Sequence, residues 1–202
     1  MSELFSIQLQ NQQQSRDGVW LDLPTTTEQV QAALRQIGIS SDNPQGLFIS
    51  GYFAEEEKRF AISYNMVLAS NVDELNFLAS RLETLSTGER AELNAALQAP
   101  QSELFSIGRI TDFPENVDYY VHLPDVHGPA QLGDYYLNRS GMVDMPEEWK
   151  GGIDTAQFGR YVAQQEQGVF TEYGYLVKSG DAWQIVHEGQ PVPEEYRVLS
   201  FP

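Results

Sequence analysis

The first seventy residues alternate between strand-like and helix-like patterns. Apolar positions alternate in part over residues 4–9 and fully over Val19–Leu23, and this alternation predicts two strands. Thr25 and Glu28 form a capping-box pair, and the apolar residues after them recur at helical spacing. A third strand is predicted at Leu47–Phe53. The pattern therefore predicts a small N-terminal α+β module over residues 1–69.

Leucine and alanine at helical spacing dominate the middle of the chain. Asn71 with Glu74, and Ser86 with Glu89, are two more capping-box pairs, and each precedes an apolar run. A further short helix is predicted over residues 102–110. These features predict a central helical module over residues 70–111.

The last part of the chain mixes both patterns. Strands are predicted at residues 117–122, 168–177, 183–187 and 196–199. One helix is predicted from Pro129 to Asn138, because proline favours the first helical position, and another after the capping pair Asp154 and Gln157. We therefore expect a C-terminal α+β module over residues 112–202 that ends in an extra hairpin.

The charge of the chain is strongly negative. Its 29 acidic and 12 basic residues give a net charge of −17. Such a chain repels nucleic acid and anionic membranes and attracts basic protein surfaces, in a way that salt weakens. The alternative is that the charge serves solubility alone. A 41% share of hydrophobic residues favours a folded protein over a disordered one.

Targeting and membrane signals are absent from the sequence pattern. Cysteine is absent, which excludes disulfides, thiolate nucleophiles and cysteine metal sites. The N-terminal residues do not follow a signal-peptide pattern, and no run approaches the roughly 18 apolar residues of a membrane helix. We therefore expect a soluble cytoplasmic protein that binds neither nucleic acid nor membrane.

The sequence offers only weak candidates for catalytic or metal-binding residues. His122 and His127 lie in a proline-flanked loop that is a poor frame for a metal, so solvated or capping histidines are the preferred interpretation. Nucleophile-elbow and phosphate-loop motifs are missing from the sequence. Glu147 and Glu148 beside Trp149 look like a sugar site, but adjacent helical residues point apart. We expect no catalytic residue, cofactor or metal, and no enzyme activity.

A series of motifs in the second half is more specific. It comprises LGDYYL (132–137), PEEW (146–149), GIDTAQFGR (152–160) and GVFTEYGY (168–175), and GVWLDLP (18–24) stands near the start. In this order the motifs resemble the ArdA antirestriction family over about residues 4–177. The late tyrosines can be explained as core packing or as a subunit interface, where tyrosine is enriched.

The resemblance implies an elongated chain with an α+β module, a helical bundle and an α+β module that forms a homodimer. It also implies a DNA mimic, whose acidic surface occupies the DNA-binding groove of a type I restriction–modification enzyme. Acidic residues three or four apart on a helix lie about 5–6 Å apart, which is close to the spacing of phosphates along one strand. The alternative is an acidic adaptor that keeps the fold and binds another basic protein.

The densest acidic stretch supplies the first candidates for phosphate mimics, and the middle helices supply the second. The first set is Asp112, Glu115, Asp118, Asp125, Asp134, Asp144, Glu147, Glu148 and Asp154. The second set is Asp73, Glu74, Glu83, Glu89 and Glu92. For each residue the alternative is an ordinary solvated surface charge.

Overall fold

The structure is a computed structural model that describes residues 4–13, 17–40, 45–56, 59–100 and 102–199. The chain forms two compact units. The first unit consists of Met1–Ser86, Glu103–Glu115 and Gln184–Pro202, and the second of Thr87–Ser102 and Asn116–Trp183. Helices and two small antiparallel sheets confirm the predicted α+β class. The predicted division at residues 69 and 111 stays a prediction.

The first unit is built on a three-stranded antiparallel sheet with the strand order β2-β1-β3. Its strands are β1 (Phe5–Asn11), β2 (Val19–Leu23) and β3 (Leu47–Phe53), which confirms the three predicted strands. Residues on one face of the sheet, such as Ile7 and Leu9, are fully buried. The other face stays open, and a bulge between Gln8 and Leu9 shifts the register of β1 against β3.

Helix α1 (Thr27–Gln36) confirms the predicted helix, but its cap lies one residue later than the sequence pattern indicates. Thr26 and Gln29 form the capping box. Thr25 instead donates its backbone N–H to the side-chain oxygen of Asn76, at 2.7 Å. The predicted pair Thr25 and Glu28 is therefore wrong, because a tertiary hydrogen bond takes the backbone of Thr25.

The other helices of the first unit are α2 (Tyr64–Leu68), α3 (Val72–Glu83) and α5 (Ile107–Thr111). The predicted capping box of Asn71 and Glu74 is confirmed. Leu75, Leu78 and Leu82 of α3 are fully buried, as their spacing predicts.

Residues 184–199, which we call the C-terminal strap, complete the first unit. The described residues after 178 form no strand, and their regular structure is a short 3-10 helix, Glu194–Tyr196. The strands predicted at 183–187 and 196–199, and the terminal hairpin built from them, are therefore wrong. Side chains of α3 and of the segment around α5 bind the backbone of the strap in place of a partner strand.

The second unit combines helices with a small sheet of order β4-β6-β5. Its helices are α4 (Thr87–Gln98), α6 (Pro129–Asp134), α7 (Glu147–Lys150) and α8 (Thr155–Glu166). Its strands are β4 (Tyr120–Leu123), β5 (Val169–Thr171) and β6 (Gly174–Lys178). Helix α6 continues as a π-helical turn, Tyr135–Arg139. The strand predicted at 168–177 is in fact two strands, because Gly174 turns the chain with a φ of +120°.

Helices α6 and α8 touch at two glycines. A Cβ on Gly159 would lie 1.8 Å from the carbonyl oxygen of Pro129, and a Cβ on Gly133 would lie 1.9 Å from that of Thr155. Any side chain at either position would push the helices apart, so only glycine permits this packing. Both glycines belong to the motifs quoted above, and these motifs therefore serve the fold of the second unit.

Candidate functional site

Asp112 must be removed from the candidate surface. Its side chain is 0% exposed. Its two carboxylate oxygens accept the backbone N–H groups of His187, at 2.6 Å, and Glu188, at 3.4 Å. The prediction that Asp112 imitates a phosphate is therefore wrong, because a buried carboxylate that binds the strap cannot meet a partner.

Asp73 anchors the other end of the strap. One of its oxygens accepts the backbone N–H groups of Val198, at 2.7 Å, and Leu199, at 2.8 Å. Its neighbour Glu74 closes the capping box at the start of α3. Both carboxylates are half-buried and fulfil structural roles in the first unit.

The remaining candidates of the first unit also make internal contacts. Glu115 is exposed but forms an ion pair with Arg81 of α3. Glu83 is half-buried and interacts within the protein. All five candidates of this unit therefore interact within the protein.

The second unit presents its candidates differently. Six of them are exposed, and we call these six the outer carboxylates: Asp118, Asp125, Asp144, Glu147, Glu148 and Asp154. Within the described part of the chain, Asp125, Asp144 and Glu148 form no hydrogen bond or ion pair through their side chains. These three are thus available for a partner.

Local contacts hold three other carboxylates of this region without burying them. Asp134 accepts hydrogen bonds from Asn138, at 2.8 Å, and Arg139, at 2.7 Å, and these bonds lower its pKa. Glu147 pairs with Lys150 at 2.6 Å. Asp154 confirms the predicted cap by accepting a 3.0 Å hydrogen bond from the backbone of Gln157 at the start of α8.

Helix α4 carries the last two candidates. Burial, together with the carboxylates of Glu89 and Asp118, raises the pKa of Glu92 to about 8. Its oxygen Oε1 is buried and accepts no hydrogen bond from the described residues. Glu92 is therefore mostly neutral at pH 7 and does not carry a full charge for phosphate mimicry. Glu89 is half-buried and has interactions of its own.

A carboxylate that the sequence did not single out organises the second unit. Glu166, at the end of α8, accepts hydrogen bonds from the hydroxyl groups of Tyr136, at 2.5 Å, and Tyr175, at 3.0 Å. Burial and the nearby carboxylate raise the pKa of both tyrosines. The two tyrosines belong to the motifs, but no spacing rule joins them to Glu166, since 30 residues separate it from Tyr136.

The two histidines of the predicted loop, His122 and His127, are not part of any cluster of described residues that could hold a metal ion. The ring of His122 contacts the carbonyl oxygen of Tyr173 at 2.7 Å, while His127 is exposed. Among the described residues, no group of three or more histidine or acidic side chains could hold a metal ion. No helix of the described chain combines the length and apolar character needed to cross a bilayer.

Comparisons with known proteins agree with the motifs. A family model described as antirestriction protein (ArdA) matches residues 13–177, which is most of the chain. The curated proteins include no significant match. The matched region contains both glycines of the α6–α8 contact, Tyr136, Glu166 and Tyr175, and it ends before the strap begins. The chain therefore belongs to the ArdA family of antirestriction proteins, which are inhibitors that interact with restriction enzymes.

Proposed function

We propose that this protein inhibits type I restriction–modification enzymes as a DNA mimic, by occupying the groove that binds DNA. The observation that supports the proposal best is the set of six outer carboxylates within residues 118–154. Exposed carboxylates would be attracted to the cationic groove of an enzyme that binds DNA, because that groove is built to receive phosphates.

Basic side chains do little to neutralise this stretch. Residues 118–154 contain two of them, Arg139 and Lys150, and they already pair with Asp134 and Glu147. Exposed ion pairs of this kind are weak, so an incoming cationic surface could compete for the same carboxylates. The stretch as a whole therefore favours a basic partner.

In this proposal the protein acts stoichiometrically and has no catalytic residue. We also propose that it acts as a homodimer formed through the second unit. Large exposed side chains there, Met142 at 75%, Trp149 at 66% and Tyr161 at 60% exposure, support an interface because such residues are enriched in subunit contacts. Light scattering after gel filtration tests the dimer, and a monomer at micromolar concentration would reject it.

A competition experiment tests the mimic. Purified protein competes with a labelled duplex for a type I enzyme over a series of salt concentrations. We expect displacement at low salt, and a steep loss of displacement as salt rises, because charge contacts dominate the binding. The triple variant Asp125→Asn, Asp144→Asn, Glu148→Gln should inhibit about tenfold more weakly, since three exposed charge contacts contribute roughly 0.2–1 kcal/mol each.

A matched control changes the net charge by the same amount elsewhere. Asp17, Glu194 and Glu195 are exposed acidic residues of the first unit, and the variant Asp17→Asn, Glu194→Gln, Glu195→Gln also removes three charges. It should inhibit almost as well as the wild type. Equal losses in both variants would mean that net charge alone acts, and this would reject an ordered mimic surface.

The adaptor remains the second candidate function. The observation in its favour is that Asp73, Asp112 and Glu115 are used inside the fold, which leaves fewer charges than the sequence indicates. If the wild-type protein displaces no DNA from the enzyme even at low salt, the mimic is rejected and the adaptor is preferred.

A further inference from the structure

The open face of the first-unit sheet exposes three large aromatic rings. Trp20 is 50% exposed, Phe53 is 58% exposed and Phe48 is 38% exposed. The register pairs Trp20 and Gly51 with Gln8, Phe53 with Ser6, and Phe48 with Gln10. Because Ser6, Gln8 and Gln10 alternate along β1, all three rings lie on the same face. Exposed aromatic groups on one face mark interaction surfaces more often than scattered ones do.

Trp20 and Phe53 form one end of this face, and they meet across the central strand. Their ring centroids are 6.5 Å apart and their planes cross at 73°. Gly51 on β3 lies across Gln8 from Trp20, and an added Cβ there would come within 3.0 Å of Cη2 of Trp20. The indole ring thus reaches across β1 to the glycine, while half of its surface stays in solvent.

Carboxylates border the same end of the face. Asp22 follows Trp20 by two residues on β2, so it points to the same side, and the hydroxyl of Ser6 donates to it at 2.6 Å. A hollow of about 200 Å³ there is lined by Asp22, Phe53 and Glu55, among others. The aromatic rings of Trp20 and Phe53 and the carboxylates of Asp22 and Glu55 together suit a ligand group that is both flat and cationic.

A cationic side chain from the described part of the protein, that of Arg59, lies nearby. Arg59 lines a neighbouring hollow with Phe53, Glu55 and Glu56, and it already interacts within the protein. Among the described residues, the carboxylates of Asp22, Glu55 and Glu56 thus border the two hollows beside Arg59. The charge around Phe53 is negative, and it favours a positively charged occupant.

We propose that this end of the sheet, defined by Trp20, Asp22 and Phe53, binds arginine side chains on the surface of a basic protein partner. A guanidinium group stacks on aromatic rings and pairs with a carboxylate at the same time, which an ammonium group does less well. The acidic border disfavours nucleic acid, and it also disfavours the same face of a second copy, because like charges repel. The identification of that partner with a restriction enzyme rests on the proposed function, but the arginine site does not.

A direct test uses capped arginine, N-acetyl-arginine amide, as the probe. The protein has three tryptophans, Trp20, Trp149 and Trp183, and their indole N–H groups give separate signals in a nitrogen-labelled sample. We expect arginine to shift the Trp20 signal in a saturable way, with a smaller shift from capped lysine. Trp183, which is half-buried and packs against Tyr119 in the second unit, should not respond in the same way.

Two variants sharpen the assignment. Asp22→Asn and Phe53→Ala should each weaken the arginine response several-fold. Phe48→Ala changes a ring on the same face but at the opposite end of β1, beside Gln10, and should leave the response unchanged. Circular dichroism of each variant establishes that the fold is retained, and Asp22→Asn remains decisive if Phe53→Ala unfolds.

Three outcomes would overturn the proposal. No shift of Trp20 would reject the site. An equal shift from capped norleucine would show a general apolar surface without preference for cations. A shift that depends on protein concentration without any probe would show that a second copy is the occupant.

The competition experiment separates this proposal from the DNA mimic. If both are correct, Phe53→Ala should lower inhibition by about three- to tenfold, as expected for the loss of a cation–π contact. If the wild type fails to displace DNA while arginine still shifts Trp20, the proposed function falls and the arginine site stands. If the protein inhibits the enzyme but arginine does not shift the Trp20 signal, the arginine site falls and the proposed function stands.

Discussion

Carboxylates have different roles in the two units of this protein. In the first unit, Asp112 is fully buried and Asp73 is half-buried, and both accept backbone N–H groups from the C-terminal strap. In the second unit, Asp125, Asp144 and Glu148 are exposed and make no polar contact with described residues. Acidic residues that the sequence alone does not distinguish can therefore either stabilise the fold or remain available for a partner. The burial of the side chain distinguishes the two roles.

This difference has a direct energetic consequence. Removal of a buried acceptor leaves its donors unsatisfied and costs the protein stability, while removal of an exposed charge hardly changes the free energy of unfolding. Partner binding should respond in the opposite way. Substitutions in the two units therefore test the comparison, and we order them by their expected effect on stability.

The largest effect is expected for Asp112→Ala. Loss of the carboxylate leaves the N–H groups of His187 and Glu188 without their acceptor, and it should lower the free energy of unfolding by about 3 kcal/mol. Denaturant titration measures this change, and proteolysis should cut the strap more readily. Asp125→Ala is the matched control and should stay within about 0.5 kcal/mol of the wild type. Equal stability of both variants would contradict the buried role of Asp112.

A smaller effect is expected for Glu166→Gln, the exception in the second unit. Glutamine keeps one acceptor oxygen, so one of the hydrogen bonds from Tyr136 and Tyr175 is lost. We expect a loss of about 1–2 kcal/mol in the free energy of unfolding. Tyr161→Phe removes the hydroxyl of an exposed tyrosine and serves as the control, with no measurable change. An unchanged Glu166→Gln variant would show that this cluster does not stabilise the unit.

The effect of Glu92→Gln should depend on pH. The folded protein keeps the proton of Glu92 up to about pH 8, whereas the unfolded chain releases it near the ordinary pKa of 4.5. The stability of the wild type therefore falls as the pH rises from about 4.5 to about 8, and then no longer changes from this cause. Glutamine removes this penalty, so the variant should gain about 2–4 °C in Tm at pH 8 and nothing at pH 4.5. Calorimetry at both pH values checks this prediction. The same difference in Tm between the variant and the wild type at pH 4.5 and pH 8 would contradict it.

The smallest effect on stability is expected for the triple variant Asp125→Asn, Asp144→Asn, Glu148→Gln. Its unfolding should match that of the wild type within about 0.5 kcal/mol, because the three side chains are exposed. The same variant should show the largest loss of inhibition. Stability that drops together with inhibition would mean that these carboxylates also hold the fold, and the contrast between the units would disappear.

Local patterns in the sequence predicted most of the elements. Three strands of the first sheet, the capping box of Asn71 and Glu74, and the cap of α8 by Asp154 are found where the pattern places them. Alternation and capping involve residues a few positions apart, so a single segment contains the necessary information. The family could be recognised for a similar reason, because its motifs contain the glycines and tyrosines that pack α6, α8 and β6.

Contacts between distant residues could not be predicted in this way. Asp112 and His187 are 75 positions apart, and Asp73 and Val198 are 125 apart. The sequence pattern therefore placed two strap anchors on the candidate surface and two strands in the strap. The same limit applies to the cap of α1. The backbone N–H of Thr25 donates a hydrogen bond to the distant Asn76, and the cap is Thr26, one residue later than predicted.

The sequence by itself determined the α+β class, the surplus of negative charge and the family, because composition and short-range spacing are properties of the chain alone. Only the tertiary structure decided which carboxylates face solvent. Whether an acidic side chain is buried depends on the segments that fold over it. For Asp112 that segment is the strap, while nothing in the described structure covers Glu148.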